Sequence, residues 1–145
     1  MKLSELWRTN KILLIGFLLF IIFMALSATN NAKLALLPAL NRARFNVFLL
    51  VCVALGWTPI ITSGFRTSTE QARLHKANPK NPKNVGTHDG RALDLNFVKG
   101  KIHLKKATPA AEWRASGLIA LAKRMGIKWG GEIFKNYYDP VHFQL

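Results

Sequence analysis

The feature that most constrains this chain is a run of 21 uncharged residues at 12–32. A helix of this length is about 30 Å long, which matches the hydrocarbon core of a bilayer. Three basic residues and one acidic residue precede the run, and this excess predicts a cytoplasmic N-terminus and an exported C-terminal part. We therefore expect a membrane anchor at 1–31 and one domain at 32–145. The alternative is a signal peptide cleaved near the small residues at 25–27, which would leave the domain secreted.

The charge of the domain indicates anionic partners. After residue 31 the chain carries 18 basic and six acidic residues, which favours membrane surfaces and anionic cell-wall polymers, with solubility alone as the simpler alternative. Nucleic acid is not expected, because no aromatic residues are interleaved with the basic ones and the domain is exported.

The single cysteine, Cys52, excludes internal disulfides and a cysteine-based zinc cluster. The sequence carries no signal for the oligomeric state. Four lysines are expected to form a solvated or wall-facing basic hairpin: Lys99, Lys101, Lys105 and Lys106.

The pattern of apolar residues predicts an α+β fold, a small antiparallel sheet flanked by helices and preceded by the transmembrane helix. The apolar run 45–57 is short for a membrane span and predicts a buried helix, although a second membrane segment or an interfacial helix stays open. In the strand predicted at 92–98, alternation directs Asp94 away from the core. The other expected elements are a strand at 60–62, a helix at 68–76 with Thr67 and Glu70 at capping-box spacing, one helix from Thr108 to Gly126, and strands at 127–129 and 141–145.

Two segments each combine a histidine with a carboxylate on the predicted non-core side of a strand. The first contains His88 and Asp94, and the second contains Asp139 and His142. Two histidines and one carboxylate are the ligand set of an open catalytic zinc site. A further carboxylate can accept a proton from water. From spacing alone, solvated surface groups remain the alternative.

The order of four motifs resembles the VanY-like family of zinc peptidoglycan peptidases, over residues 34–145. The motifs are Ser63-Gly64-Phe65-Arg66-Thr67 with Glu70-Gln71, His88 followed by Gly90-Arg91-Ala92-Leu93-Asp94-Leu95, Trp129-Gly130-Gly131, and Asp139-Pro140-Val141-His142-Phe143-Gln144. This family includes D-alanyl-D-alanine carboxypeptidases and the L-alanyl-D-glutamate endopeptidases of phage endolysins. The resemblance implies a fold of the D,D-peptidase and Hedgehog type.

The resemblance also implies roles for individual residues. His88, Asp94 and His142 would hold Zn²⁺, and Asp139 would be the general base. Arg66 would contact a carbonyl or carboxylate of the substrate. We add Ser63 and Gln71 as substrate-binding residues, since Ser63 has no partner base for a nucleophilic role and Gln71 lies in the first turn of the helix after Arg66. A solvated Gln71 is the alternative.

One spacing departs from the family pattern. His88 and Asp94 are six positions apart, whereas the family has seven, and a one-residue change within a strand turns a side chain to the other face. A change within the Asp89-Gly90 turn would absorb the difference, because glycine accepts unusual backbone angles. We keep Asp94 as the ligand, with Asp89 as the second choice and a metal-free relative as a further alternative.

The expected function is hydrolysis of peptidoglycan stem peptides by a membrane-anchored zinc peptidase. Within the resemblance, an Asp at position 139 looks closer to the L-alanyl-D-glutamate endopeptidases than to the D-alanyl-D-alanine carboxypeptidases, which more often have Glu there. The alternatives are such a carboxypeptidase and a non-catalytic basic module that binds peptidoglycan or membrane.

Overall fold

A computed structural model describes residues 28–77, 88–134 and 137–145. The greater part of the predicted anchor, residues 1–27, lies outside these ranges. Within the described ranges, no helix combines the length and the apolar character needed to cross a bilayer.

The described chain forms a small α+β domain, and this confirms the expected class. Its helices and strands follow in this order: α1 (Ala28–Ala35), α2 (Ala39–Ala54), β1 (Thr58–Ser63), α3 (Ser68–Ala77), β2 (Ala92–Lys99), β3 (Ile102–Leu104), α4 (Ala110–Ala115), α5 (Leu118–Arg124), β4 (Lys128–Trp129), α6 (Gly130–Ile133) and β5 (His142–Gln144).

The five strands form one antiparallel sheet in the order β1-β2-β5-β4. Strand β2 is the longest and pairs with three others. Its start, Ala92 to Asp94, pairs with β5, and its end, Phe97 to Lys99, pairs with β3 along the same edge. Strand β1 covers the opposite edge of β2, with an irregularity between Ile61 and Ser63. The start of β2 therefore lies in the middle of the sheet.

Helix α2 packs its apolar stripe on one face of this sheet. Its buried residues Phe45, Phe48, Leu49 and Cys52 recur at the spacing of a single helix face. The ring of Phe48 contacts the rings of Phe97 and Phe143, with centroids 6.3 and 5.7 Å apart. The buried helix expected at 45–57 is thus confirmed, but it begins earlier, at Ala39, and is not the first helix of the domain.

Helix α1 precedes it and packs on β1. Asn30 is buried, and its side chain donates a hydrogen bond to the carbonyl of Pro59 and accepts one from the backbone N–H of Ile61. Lys33 donates from Nζ to the carbonyl of Ile61. Helix α1 therefore runs across the boundary that the sequence suggested between residues 31 and 32.

The single helix expected from Thr108 to Gly126 is wrong, because the chain breaks into α4 and α5. Between them Gly117 has φ of +80°. The Ser116 hydroxyl donates to the carbonyl of Trp113 and accepts from the N–H of Leu118, so it satisfies backbone groups that the break exposes. Thr108 does not cap α4 either, and its hydroxyl instead bonds the preceding turn.

Candidate metal centre

The register of the sheet brings three side chains of the predicted site to the same place. Asp94 of β2 pairs with Ser63 of β1 on one side and with His142 of β5 on the other. Its neighbours Leu93 and Leu95 are fully buried, so alternation directs the Asp94 carboxylate to the opposite face, as the sequence predicted.

His88, Asp94 and His142 converge on this face. Asp94 Oδ1 is 3.3 Å from Nε2 of His88 and 3.2 Å from Nδ1 of His142. One donor atom from each of the three residues lies within 4.8 Å of the others. Both histidines are buried, at 5% and 4% exposure. The three residues that the resemblance implied as ligands therefore form one cluster.

Each histidine has an acceptor on the side facing away from the cluster. His88 Nδ1 lies 2.8 Å from the carbonyl oxygen of Gly64. Because a carbonyl only accepts, Nδ1 donates to it, and Nε2 is the nitrogen that faces Asp94. His142 Nε2 lies 3.4 Å from Oε1 of Gln144, and Nδ1 is the nitrogen that faces Asp94. Outer hydrogen bonds of this kind orient histidines that bind metals.

Asp94 is charged in this environment. Burial alone would raise the pKa of its carboxyl, but hydrogen bonds from His142 and His88 outweigh burial and bring the pKa well below its usual value. The carboxylate is therefore in the form that binds a cation at neutral pH.

The turn between His88 and β2 accounts for the six-residue spacing. Gly90 has φ of +99°, a region that side-chain-bearing residues rarely adopt, and a Cβ there would lie 2.6 Å from Cδ of Pro38. Asp89 is exposed on this turn and forms an ion pair of 2.8 Å with Arg91. Asp89, the second choice as ligand, thus belongs to a surface pair outside the cluster, whereas Asp94 faces both histidines.

Asp139 is buried at 4% exposure in the turn that leads into β5, where its carbonyl accepts from the N–H of His142. The turn lies against Gly130, which has no side chain. A Cβ on Gly130 would lie 2.4 Å from the carbonyl oxygen of Asp139 and 2.7 Å from Cβ of His142. The missing side chain thus makes room for the segment that contains both residues.

Arg66 and Ser63 contact each other. Arg66 Nη2 donates to Ser63 Oγ over 2.8 Å, and the backbone N–H of Arg66 donates to the carbonyl of His88 over 2.7 Å. Ser63 therefore fixes the guanidinium beside the cluster.

Two open clefts flank the three clustered side chains. The first, of about 460 Å³, is lined by Arg66, Gln71 and His88 together with Phe65, Thr67, Ser68 and Asp89. The second, of about 580 Å³, is lined by Arg66 and Asp94 together with Thr62, Asn96, Lys105, Lys106, Ala107 and Val141. Arg66 lines both, and Gln71 faces the first.

Comparison with known proteins agrees with this arrangement. A family model described as D-alanyl-D-alanine carboxypeptidase matches residues 86–145. The matching family is the kind of peptidase that the order of motifs resembles. The match contains the cluster together with Asp139.

Two solved structures share the fold of this domain. The L-Ala D-Glu endopeptidase ChiX of Serratia marcescens is similar over 81% of this chain and 86% of its own, with a TM-score of 0.56 and 19% identity. VanYB in complex with D-alanine-D-alanine is similar over 74% of this chain and 70% of its own, with a TM-score of 0.50 and 20% identity. No curated protein sequence matches the chain.

The side chains of the cluster fit a zinc ion. Two imidazole nitrogens and one carboxylate oxygen form the three-ligand set of catalytic zinc sites, which leaves a further position open. The outer nitrogens are already held by oxygen acceptors. The inner nitrogens, which face Asp94, are therefore the ones that would bind the cation.

Two residues of the site were not singled out from the sequence. Burial, together with the negative charges of Asp139 and Asp94, raises the pKa of Tyr137. No spacing rule indicates this. Gln144, the acceptor for His142, stands two residues after it on the same strand. Alternation already placed both residues on one face, and this signal could have identified Gln144.

Proposed function

We propose that the chain hydrolyses the bond between L-Ala and D-Glu in peptidoglycan stem peptides. The observation that carries the proposal is the convergence of His88, Asp94 and His142, with both outer imidazole nitrogens held by oxygen acceptors. Such a set supports hydrolysis of an amide bond by water.

In this proposal each residue of the site has a separate role in proton transfer, charge stabilisation or substrate binding. His88, Asp94 and His142 would hold Zn²⁺, which would supply a Lewis acid for the scissile carbonyl and for the attacking water. Asp139 accepts the proton of the attacking water and returns it to the leaving amine as the C–N bond breaks. Arg66, fixed by Ser63, stabilises negative charge on the carbonyl oxygen. Gln71 binds substrate in the first cleft.

The clefts support an endopeptidase. A clustered histidine lines one cleft and the clustered aspartate lines the other, so a peptide has room on both sides of the scissile bond. Asp at position 139 and the likeness of the fold to an L-Ala D-Glu endopeptidase agree with this substrate.

The second candidate is a D-alanyl-D-alanine carboxypeptidase. The description of the matching family model and the likeness to a protein bound to D-alanine-D-alanine favour it. Arg66, which lines both clefts, would then hold the terminal carboxylate of the substrate.

We also propose that the predicted anchor 1–31, whose last residues 28–31 lie in α1 of the domain, holds the protein in the cytoplasmic membrane with the domain outside. The uncharged run and the basic residues before it support this topology. Leu36 and Leu40, near the start of the domain, are 62% and 74% exposed, which suits a position close to the bilayer surface.

Protease accessibility tests this topology. Protease added to intact spheroplasts should cut the domain of a membrane-bound chain. Recovery of the domain in the medium would indicate cleavage instead, and full protection would refute export.

Mass spectrometry of muropeptides tests the activity. The full 145-residue chain, purified in detergent, is incubated with peptidoglycan, with and without a zinc chelator. New peptides that begin with D-Glu, formed only without chelator, are expected. Loss of terminal D-Ala alone would establish the carboxypeptidase, and intact muropeptides would favour the binding module.

A pair of matched variants localises that activity. Asp94→Asn should abolish cleavage, because it removes a charged donor from the cluster. Glu112→Gln makes the same chemical change, carboxylate to amide, at an exposed residue that lines neither cleft beside the cluster and should keep cleavage near the parent rate. Equal rates in the two variants would contradict the assignment of the cluster.

A further inference from the structure

The second cleft beside the metal cluster is strongly basic. Three cationic side chains line it, Arg66, Lys105 and Lys106, and among the described residues that line it the only carboxylate is Asp94. That carboxylate is already engaged by both histidines. The excess positive charge of the cleft is therefore available to a ligand.

The two lysines belong to a turn with a fixed structure. The N–H of Lys105 donates to Oγ1 of Thr108 over 3.0 Å, and the N–H of Thr108 donates back to the carbonyl of Lys105 over 2.9 Å. Thr108 is buried at 6% exposure, and its hydroxyl also bonds the carbonyl of His103. The backbone that carries the lysines is thus fixed by one buried residue.

The same turn is tied to the segment that carries Asp139. The hydroxyl of Tyr138, the residue before Asp139, donates to the carbonyl of Thr108 over 2.9 Å. This bond sets the position of the lysine turn relative to the proposed general base. Solubility alone would not require such a link, since a solvated lysine can stand anywhere on a surface.

We infer that Lys105 and Lys106 determine specificity by binding a carboxylate of the substrate next to the scissile bond. The inference rests on the proposed function. Of the two residues joined by the L-Ala–D-Glu bond, D-Glu alone has a free carboxylate, attached to the carbon beside the scissile nitrogen. A carboxylate there matches the charge of the cleft, and amidation to D-isoglutamine removes that charge while keeping the shape.

The test compares two synthetic muropeptides, one with D-Glu and one with D-isoglutamine, cut by the full chain in detergent with zinc. The parent should favour D-Glu. In Lys105→Met/Lys106→Met, kcat/KM for the D-Glu substrate should fall about tenfold, and kcat/KM for the D-isoglutamine substrate should change by less than about twofold. The preference of the parent should weaken as salt is raised, because exposed charges are screened.

The matched control is Lys101→Met/Arg124→Met, which removes two positive charges from residues that do not line the cleft. It should keep the preference for D-Glu. An equal fall for both substrates in the cleft variant, or no fall, would overturn the inference and leave the proposed function standing. A parent that cuts neither substrate would overturn both.

Discussion

Gly130→Ala is the sharpest test of how the site is positioned. The substitution adds one methyl group where the turn from Asp139 to His142 lies against the start of α6. That methyl carbon would stand 2.4 Å from the carbonyl oxygen of Asp139 and 2.7 Å from Cβ of His142. The first neighbour is backbone and the second is bound rigidly to it, so neither can rotate away.

The size of the effect follows from these distances. Ordinary contact begins at 3.4 Å, so the turn and α6 must separate by about 1 Å. Overpacking of this kind costs about 1–3 kcal/mol of the free energy of unfolding. A displacement of about 1 Å in a catalytic group lowers the rate about 100-fold. We therefore expect kcat/KM to fall about 100-fold, with weaker zinc binding because His142 moves as well.

Three measurements check this expectation: kcat/KM on muropeptides, zinc affinity by competition with a chelator, and thermal unfolding. Gly117→Ala serves as the stability control, because its φ of +80° strains any side-chain-bearing residue while an added Cβ would meet no atom within 4 Å; it should lower Tm and leave kcat/KM and zinc affinity at the parent values. Parent values of kcat/KM and zinc affinity in Gly130→Ala, together with a lowered Tm, would show that α6 yields instead of the turn. That result would refute the positioning role of Gly130.

Three other predictions concern single side chains. Asp139→Asn should retain zinc, but its kcat should fall about 10²- to 10⁴-fold. His142→Ala should lose both the bound zinc and the turnover, as measured by metal content and by kcat. Turnover at the parent rate in Asp139→Asn would exclude Asp139 as the base. Gln144→Leu should weaken zinc binding about tenfold in chelator competition, because His142 Nε2 loses its acceptor, and unchanged affinity would show that this long contact contributes nothing. Burial raises the pKa of Cys52 to about 12, so a thiol reagent at pH 8 should label it only after denaturation, and rapid labelling of the native protein would contradict its burial.

Patterns of neighbouring residues correctly predicted strand β2 and the start of helix α3, because both depend on short-range interactions. Alternation in 92–98 placed Leu93 and Leu95 in the core and Asp94 on the other face. The capping spacing of Thr67 and Glu70 is matched by a hydrogen bond of 3.2 Å from the N–H of Glu70 to Oγ1 of Thr67. Both signals depend only on residues within one turn or one strand, so no tertiary information was needed.

Tertiary contacts decided what the sequence could not. A glycine such as Gly117 is tolerated inside a helical pattern, so the sequence predicted one continuous helix. The chain breaks between α4 and α5 because the Ser116 hydroxyl bonds backbone groups at the break. Lys105 and Lys106 were grouped with Lys99 and Lys101 as one basic hairpin. The structure separates them, because Lys99 lies over the ring of Trp57 and donates to the carbonyl of Leu55, far along the chain. Charge counts alone cannot make this distinction.

The six-residue spacing between His88 and Asp94 shows which kind of change a site of this type tolerates. Asp94 must lie between Ser63 and His142 in the sheet, and a one-residue shift within β2 would turn its carboxylate into the core. His88 precedes the strand and is held through Gly64 and Arg66, which belong to the segment after β1. The length of the turn at Gly90 can therefore vary while both histidines keep facing Asp94, since the position of His88 is set across the sheet and not by its distance along the chain.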